Sequence, residues 1–391
     1  MRIVHGIDSL SKPGGILTYA ATISDVLQRN GHDVWNVSAT LGSGTAMLEE
    51  SAIRWVDRFE ELPEDIDIFF AHDAPMSCAM LEKRPDVPQM FFWHSSYFDF
   101  NVNPQITQAC ARIVALWPSC FRRIDGLAEK PKTLSLTQPV DLTRFRVQRP
   151  INQRARTVVA LSNYLHGEKL RLVERACELA GLEFRLVGSG GEGVSMRPQD
   201  AINDADIVLG KGRVIVEAMA CGRAAYVYDV FGADGWVTPD TYEGLSDVNF
   251  AGSANASNPT AEELATDLAG YSSSMGESNA AIAANLHSAS THTTALVKAA
   301  EEVLAEGSRP PVRPDAYELQ RLVRVAWRHE TEAFNAKNRM IDESLRRGDA
   351  EWELEKSRAE VARLQADLAA LRSSPSWRIT APLRAIRRIG R

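Results

Sequence analysis

The chain has few cysteines and no long hydrophobic run. Its five cysteines are scattered without C-x-x-C or C-x-H spacing, which argues against a structural zinc site and a disulfide framework and favours a reducing compartment. No apolar run approaches the ~20 residues that span a bilayer. The opening MRIVHGI is a predicted strand and too short for a secretory signal. We therefore expect a cytoplasmic protein without a metal site.

The chain also lacks a surplus of positive charge. It has 44 Lys and Arg against 51 Asp and Glu, a formal net charge of −7, so no broad nucleic-acid-binding face is expected. A local concentration of basic charge occurs at residues 372–391, which contain six arginines and no acid. A length of 391 residues, 45% of them hydrophobic and 24% charged, is typical of a globular protein with two or three domains.

Residues 205–229, ADIVLGKGRVIVEAMACGRAAYVYD, have the most informative pattern. A short apolar strand, a glycine turn, a helix and a second strand follow one another, which predicts a parallel-sheet crossover. Ligands of such sheets bind at the carboxyl ends of strands, against helix N-termini. The turn holds that position, so Gly210, Lys211, Gly212 and Arg213 are predicted to bind a diphosphate.

This stretch resembles the donor-binding segment of family 4 glycosyltransferases, which have the GT-B fold. The family pattern is Glu, seven residues, a second Glu and then Ala-x-Ala-x-Gly, and here Glu217 begins EAMACG. The resemblance implies that Glu217 binds the ribose hydroxyls of a nucleotide. Leu209 replaces the first Glu, so the motif supplies no carboxylate for the donor sugar. The alternative interpretation is a helix-surface acid paired with Arg213, four residues earlier.

A second resemblance to the same family lies near the N-terminus. The segment GGILTYAATISDVLQRNGHDV has a glycine pair before a predicted helix and Gly-His-x-Val before the next strand. The resemblance implies that the amides of Gly14 and Gly15 contact the donor diphosphate or the acceptor. By themselves, glycines before a helix also fit a simple turn.

Histidines end two predicted strands of this half, at the mouth of the sheet. The family has a histidine at a matching place, near the donor sugar and acceptor. We assign that catalytic role to His94, with His72 as the second choice. The alternative for both is a histidine satisfied in the core or at the rim.

Cationic and glycine residues of the second half complete the predicted donor site. The family has Arg and Lys on the diphosphate after the first strand of this half. Asn163 stands in place of the Arg, and Lys169 follows, as a phosphate ligand or as an exposed lysine at a helix start. Gly188 opens a glycine cluster where the family binds the donor's base and phosphates. We hypothesise that Lys211 and Arg213 supply the charge that Asn163 lacks.

The predicted fold class is α/β, a GT-B protein with two Rossmann-like domains facing across a cleft and a C-terminal helical extension. GT-B proteins usually send a terminal helix back across the first domain, and one of the helices predicted between 261 and 306 is expected to do so. The expected parts are an N-terminal acceptor-side domain at 1–148, a donor domain at 155–306, a linker at 307–314, a helical coiled-coil oligomerisation region at 315–372 and a basic amphipathic tail at 373–391.

The helical extension is interpreted from its heptads and its basic end. Leu354, Val361 and Leu368 share one heptad position, which favours a short coiled coil between copies of the chain; a helical hairpin packed within one chain is the alternative. The tail resembles the end of bacterial cell-surface polysaccharide glycosyltransferases. A basic amphipathic helix can lie on an anionic leaflet, and a solvated terminus or a protein-docking arm are the other interpretations.

The resemblance implies transfer of a sugar from a nucleotide-diphosphate donor to a glycan, lipid-linked or protein acceptor, with retention of configuration. The diphosphate leaving group would be stabilised electrostatically, with no metal and no cofactor beyond the nucleotide-sugar substrate. A degenerate GT-B scaffold and a GT-B sugar-nucleotide epimerase are the alternatives. The sequence does not specify the base, the sugar or the acceptor.

Overall fold

The computed structural model describes residues 1–11, 14–50, 53–94, 109–123, 132–188, 191, 195, 197–229 and 232–307 of the first part of the chain. Beyond them it describes 326, 329–330, 332–333, 336, 340, 352–367 and 369–370. Two compact units are distinguished, Met1–Pro314 and Asp315–Arg391. In the second unit residues 352–367 form a helix, and the basic tail at 373–391 lies outside the described residues. No helix in the described ranges is long and apolar enough to cross a membrane.

The first half of unit one alternates strands and helices. Its elements are β1 (Arg2–Gly6), α1 (Gly15–Arg29), β2 (Asp33–Val37), α2 (Thr45–Glu50), β3 (Arg54–Val56), β4 (Ile68–Ala71), α3 (Ala74–Lys83), β5 (Gln89–Trp93), β6 (Arg112–Ala115) and β7 (Thr133–Ser135). The strands form a seven-stranded sheet in the order β3-β2-β1-β4-β5-β6-β7, with every pairing parallel. Strands β4 and β5 are buried along their whole length, as expected where helices cover both faces of a parallel sheet.

The second half repeats this plan around a five-stranded sheet. Its elements are β8 (Thr157–Leu161), α4 (Gly167–Ala180), β9 (Glu183–Val187), α5 (Pro198–Asp204), β10 (Ile207–Gly210), α6 (Arg213–Ala220), β11 (Ala224–Asp229), β12 (Gly232–Trp236), α7 (Tyr242–Asp247), α8 (Ala261–Ala269), α9 (Ser273–Leu286) and α10 (Ala289–Glu306). The strand order is β12-β11-β10-β8-β9, and only β12 is antiparallel to its neighbour. The crossover predicted for 205–229 is therefore β10, the glycine turn, α6 and β11.

Helix α10 returns from the second sheet to the first. Leu296, Ala300 and Val303 are buried in the same hydrophobic core as the strands of the seven-stranded sheet. At the end of the helix, Glu306 accepts two hydrogen bonds from Arg112 of β6, at 2.7 and 3.2 Å. This is the terminal helix that the GT-B resemblance leads one to expect across the first domain.

The two segments that connect the sheets run side by side. The amide of Val140 donates to the carbonyl of His287 at 2.7 Å, and the amide of Ala289 donates to the carbonyl of Val140 at 3.0 Å. The Nδ1 atom of His287 donates to the carbonyl of Gln138 at 2.7 Å. The molecule thus has two Rossmann-like domains joined by a paired connection, which confirms the predicted GT-B fold class.

Candidate functional site

A cavity of about 670 Å³ is bounded by the N-terminal half of α1 and by the carboxyl ends of the strands of the second sheet. This volume falls in the range of about 300–1,000 Å³ typical of small-molecule sites. Seven of the predicted donor-binding residues line it: Gly14, Gly15, Gly188, Lys211, Gly212, Arg213 and Glu217. Both predicted helix starts therefore face one space that a single small molecule can occupy.

The glycine pair before α1 borders open space. Gly14 is the N-cap of α1 and provides no side-chain cap, so the first amides of the helix lack intrahelical partners and the positive end of its dipole faces outward. A Cβ atom added at Gly14 or Gly15 would meet no other atom within 4 Å. Because packing does not demand glycine here, the feature that glycine provides is close access to the amides from the cavity.

Two glycines at the strand ends of the second sheet are required by the conformation of the backbone. Gly212 is the N-cap of α6 with a φ of +57°, and its amide donates to the carbonyl of Phe250 at 2.9 Å. A Cβ at Gly188, whose φ is +144°, would lie 2.0 Å from the carbonyl oxygen of Ser162. Both positions require glycine because L-residues rarely adopt these angles. Gly210 is buried at the end of β10 and is not part of the cavity wall as described.

Arg213 and Glu217 form a buried ion pair in the wall. Arg213 Nε donates to Glu217 Oε1 at 2.7 Å, and the side chains are only 10% and 6% exposed. The two residues do pair, as the alternative interpretation of Glu217 required, yet they face the cavity and not bulk solvent. Burial raises the pKa of the Glu217 carboxyl, and the neighbouring Arg213 guanidinium opposes that shift.

The same guanidinium joins three parts of the molecule. Arg213 Nη1 donates to the carbonyl of Pro139 at 3.1 Å, and Nη2 donates to the hydroxyl of Thr22 at 2.8 Å. Arg213 therefore ties α6 to the connecting segment and to α1. A ligand phosphate beside Arg213 would therefore bind a guanidinium that already donates hydrogen bonds to three protein groups.

Lys211 is the second cation contributed by the glycine turn. Its ammonium lies 3.8 Å from Asp229 Oδ2 and 4.3 Å from the ring centroid of Tyr164. Burial lowers the pKa of Lys211, and the Asp229 carboxylate opposes the change. Lys211 is thus held at the strand ends, between a carboxylate and an aromatic ring.

Lys169 and His94 lie away from the cavity wall as it is described. The Lys169 ammonium donates to Asn258 Oδ1 at 2.7 Å and lies 6.0 Å from the ring centroid of Tyr228. His94 Nε2 is 2.8 Å from His72 Nδ1, and the Tyr19 ring packs edge-on against the His94 ring with centroids 4.9 Å apart. The structure therefore does not bring these two side chains to the cluster around Gly212.

The histidine pair belongs to a longer row of imidazoles. His5 Nδ1 is 2.8 Å from His72 Nε2, so the row runs from His5 through His72 to His94. Burial lowers the pKa of His5 and of His94 to about 3 and takes the pKa of His72 well below its usual value. All three rings are neutral at pH 7, and His72 is fully buried, as a core histidine would be.

Several residues of the cavity wall were not found from the sequence. Thr18, Thr22 and Asp25 share one face of α1 at i, i+4 and i+7 spacing, and Ser162, Tyr164 and Asp229 stand at or just after strand ends. Both signals were present in the sequence, since polar residues at the carboxyl ends of parallel strands are the default ligand-binding positions of such sheets. Within the described residues no group of three or more His, Cys, Asp or Glu side chains is placed to hold a metal ion.

No protein-family model matches the chain, and no curated protein is significantly similar to it in sequence. Solved structures do share its fold. HepE of Anabaena, in complex with UDP and glucose, superposes with a TM-score of 0.57 at 15% identity over 77% of this chain and 100% of that one.

Two further structures give similar values. HepE with UDP-glucose has a TM-score of 0.56 at 15% identity, over 77% of this chain and 100% of that one. The pneumococcal O-GlcNAc transferase GtfA, in complex with UDP and GlcNAc, has a TM-score of 0.54 at 10% identity, over 78% of this chain and 99% of that one. At identities this low, the superpositions show a common fold and nothing finer. That fold is the GT-B architecture of two facing Rossmann-like domains.

Proposed function

We propose that the protein is a glycosyltransferase that takes a sugar from a nucleotide-diphosphate donor. The observation that carries this proposal is the shared cavity, in which Gly14 and Gly15 of one domain face residues 212–217 of the other. Its volume of about 670 Å³ suits a nucleotide sugar. HepE and GtfA, which share the fold, were crystallised with UDP and with sugars, which supports uridine nucleotides as the first ligands to test.

The chemistry we assign to the cavity is electrostatic stabilisation of a leaving diphosphate. The first amides of α1 and α6 and the Lys211 ammonium would bind the phosphate oxygens, and Glu217 would bind the ribose hydroxyls. These groups are fixed before the reaction, so they stabilise the charge that develops in the transition state without reorganising. No bound metal is needed for this task.

The transfer would proceed with retention. The bond from the anomeric carbon to the phosphate oxygen breaks, the acceptor oxygen bonds to the same face of that carbon, and the acceptor's proton passes to the departing phosphate. We assign His94 to the acceptor side, where its neutral ring would act as a hydrogen-bond partner and not as a cation. The acceptor would be a hydroxyl of a glycan, a lipid-linked glycan or a protein.

The C-terminal region is proposed to serve association. Residues 352–367 are helical, and self-association through 315–372 with peripheral contact of 373–391 at the cytoplasmic face of a membrane completes the proposal. Sedimentation of the full chain across a hundredfold concentration range should show a mass above the 43.1 kDa of one chain. A constant mass of one chain would remove self-association from the proposal.

The proposal is tested by ligand binding to the full chain. UDP, UDP-glucose, UDP-GlcNAc and GDP-mannose are titrated by thermal shift and calorimetry, with free glucose and inorganic phosphate as controls. At 100 times the dissociation constant a ligand adds about 2.7 kcal/mol to the unfolding free energy, so even a weak donor should raise the melting temperature. Absence of binding by every nucleotide at millimolar concentration would contradict the proposal.

The competing function is a degenerate scaffold that has lost donor binding. Two observations favour the scaffold. Leu209 is buried in the strand before the glycine turn, and Arg213 already has three protein partners. The same titration separates the two, since a scaffold binds no nucleotide. Conversion of the bound sugar nucleotide to its epimer without any acceptor would indicate the epimerase.

A further inference from the structure

Polar residues that the family motif does not include stand at or directly after the ends of three neighbouring strands of the second sheet. Asp229 is the last residue of β11, Lys211 follows β10, and Ser162 follows β8. Since β10 pairs with β11 on one side and with β8 on the other, the three side chains stand along one edge of the sheet. All three line the cavity.

Asp229 fixes the loop that follows β8. Its carboxylate is 1% exposed and accepts a hydrogen bond from the Ser162 hydroxyl at 3.0 Å. That hydroxyl in turn accepts from the amides of Tyr164 and Leu165, at 3.0 and 3.1 Å. The backbone at Tyr164 is therefore held in place before any ligand arrives.

Tyr164 presents an aromatic ring in this corner of the cavity. It is 57% exposed although it lines the wall, and Lys211 lies 4.3 Å from its ring centroid. Aromatic faces carry a partial negative charge that attracts cations and polarised C–H bonds. A pyranose ring has such C–H bonds on its faces and hydroxyl groups around its edge, so it matches a wall made of an aromatic ring, a carboxylate and an ammonium.

The position of this corner relative to α6 indicates which part of the donor would bind there. Glu217 lies five residues beyond Gly212, so it is about 7.5 Å further along the helix at 1.5 Å per residue. Lys211 precedes Gly212 in the turn and Asp229 ends the neighbouring strand β11, so both stand at the strand ends, before the start of α6. The Tyr164 ring lies beside Lys211. If the diphosphate binds at Gly212 and the ribose at Glu217, the group on the far side of the diphosphate is the sugar.

We propose that Tyr164, Lys211 and Asp229 form the subsite for the donor's sugar, a pyranose whose C–H face packs on Tyr164. Asp229 accepts hydrogen bonds from sugar hydroxyls. The Lys211 ammonium has three donors, so it donates to a sugar hydroxyl as well as to the adjoining phosphate. A carboxylate has about four acceptor positions, so Asp229 can bind a hydroxyl and keep its bond to Ser162. This inference rests on the proposed function. It places the sugar-binding carboxylate on β11, because the strand before the glycine turn has Leu209 where the family motif has a glutamate.

The test compares UDP with UDP-sugars in matched variants. Calorimetry gives the dissociation constants of UDP, UDP-glucose and UDP-GlcNAc for the wild type, Tyr164→Ala, Tyr164→Phe and Asp229→Asn, with Leu179→Ala, an exposed site on α4, as the control. Tyr164→Ala should weaken the better UDP-sugar by about 3- to 10-fold, the range expected for aromatic packing, and change UDP by less than 2-fold. Tyr164→Phe keeps the aromatic ring and should recover most of the affinity that Tyr164→Ala loses, whereas Leu179→Ala should behave as the wild type does.

Asp229→Asn keeps an acceptor for Ser162 and removes the charge that would bind the sugar hydroxyls. We expect it to weaken the UDP-sugar by about 10-fold or more, in line with hydrogen bonds to charged groups, again with UDP little changed. Equal losses for UDP and UDP-sugars, or no loss in any variant, would overturn the subsite while leaving nucleotide binding intact. Failure of the wild type to bind any of these ligands would instead overturn the proposed function together with the subsite.

Discussion

Tyr19 and His292 share a hydrogen bond of 2.7 Å across 273 residues of sequence. His292 Nδ1 donates to the carbonyl of Thr137 at 3.0 Å, so Nε2 of the neutral ring accepts the hydrogen bond from the Tyr19 hydroxyl. Tyr19 lies in α1 and His292 in α10. Also in α1, the hydroxyl of Thr22 accepts a hydrogen bond from Arg213. Through Tyr19 and Thr22, the helix that begins at the glycine pair is thus fixed to other parts of the chain.

Tyr19→Phe should destabilise the protein by about 1–2 kcal/mol, because it leaves the buried Nε2 of His292 without a donor. Urea unfolding followed by circular dichroism measures the change. Tyr164→Phe is the control, since that residue is 57% exposed and should change stability by less than about 0.5 kcal/mol. Equal stability of Tyr19→Phe and the wild type would show that the contact between α1 and α10 contributes nothing.

Stability should fall as the pH drops below about 6.5, the ordinary pKa of histidine in an unfolded chain. Burial lowers the pKa of His292 to about 3 and that of His287 to about 4, so the folded state binds fewer protons than the unfolded state. The stabilisation is complete above the unfolded pKa and is lost as the pH falls towards the folded pKa. Each such histidine should remove about 2 kcal/mol between pH 6.5 and pH 5.

Two buried carboxyls act in the opposite sense. Burial raises the pKa of Asp73 to about 6 and also raises the pKa of Glu217, so these groups favour the folded state at lower pH. The comparison of His292→Gln with the wild type cancels their effect. The variant should lose less stability than the wild type between pH 6.5 and pH 5, and an identical pH slope in the two proteins would contradict the assignment.

Much of the fold was predictable because local patterns and tertiary structure agree. The apolar strand, glycine turn and helix of 205–229 appear where periodicity placed them, as β10, the turn and α6. Gly14, Gly15 and Gly212 were identified because glycines at helix starts carry a local backbone signal. The structure brings these glycines together at one cavity, because α1 and α6 follow strands of two different sheets whose domains both border it.

The partners of charged side chains were not predictable, because they come from distant parts of the chain. The three contacts of Arg213 reach from Thr22 to Glu217, and nothing local to residue 213 specifies the first of them. Lys169 binds Asn258, 89 residues away, although its helix-start position suggested a phosphate. Tyr164 and Asp229 occupy positions that topology marks as ligand-facing, yet only the strand order shows that they are neighbours.

Gly15→Ala should separate the role of glycine in folding from its role in binding. A Cβ at this position meets nothing within 4 Å, so stability should be unchanged or raised by up to about 1 kcal/mol. UDP affinity should fall at least fivefold, because the methyl group would occupy the space through which a phosphate approaches the amides. Calorimetry and urea unfolding measure the two effects in the same samples.

The matched control for Gly15→Ala is Gly244→Ala in α7. This glycine also has no atom within 4 Å of an added Cβ, and it lies outside the described cavity wall. It should leave UDP affinity unchanged. Full UDP affinity in Gly15→Ala would show that the phosphates bind elsewhere.

Removing the charge of Arg213 should be more harmful than removing both charges of its pair. Arg213→Met leaves Glu217 buried without its hydrogen-bonded cation, which should cost about 3–5 kcal/mol. Adding Glu217→Gln removes that buried charge, so the double variant should recover part of the loss, although the contacts of Arg213 to Pro139 and Thr22 stay broken. Urea unfolding of the wild type, both single variants and the double variant gives the coupling free energy directly. A coupling near zero would mean that the pair acts as two independent side chains, and the wall of the cavity would then owe its shape to packing alone.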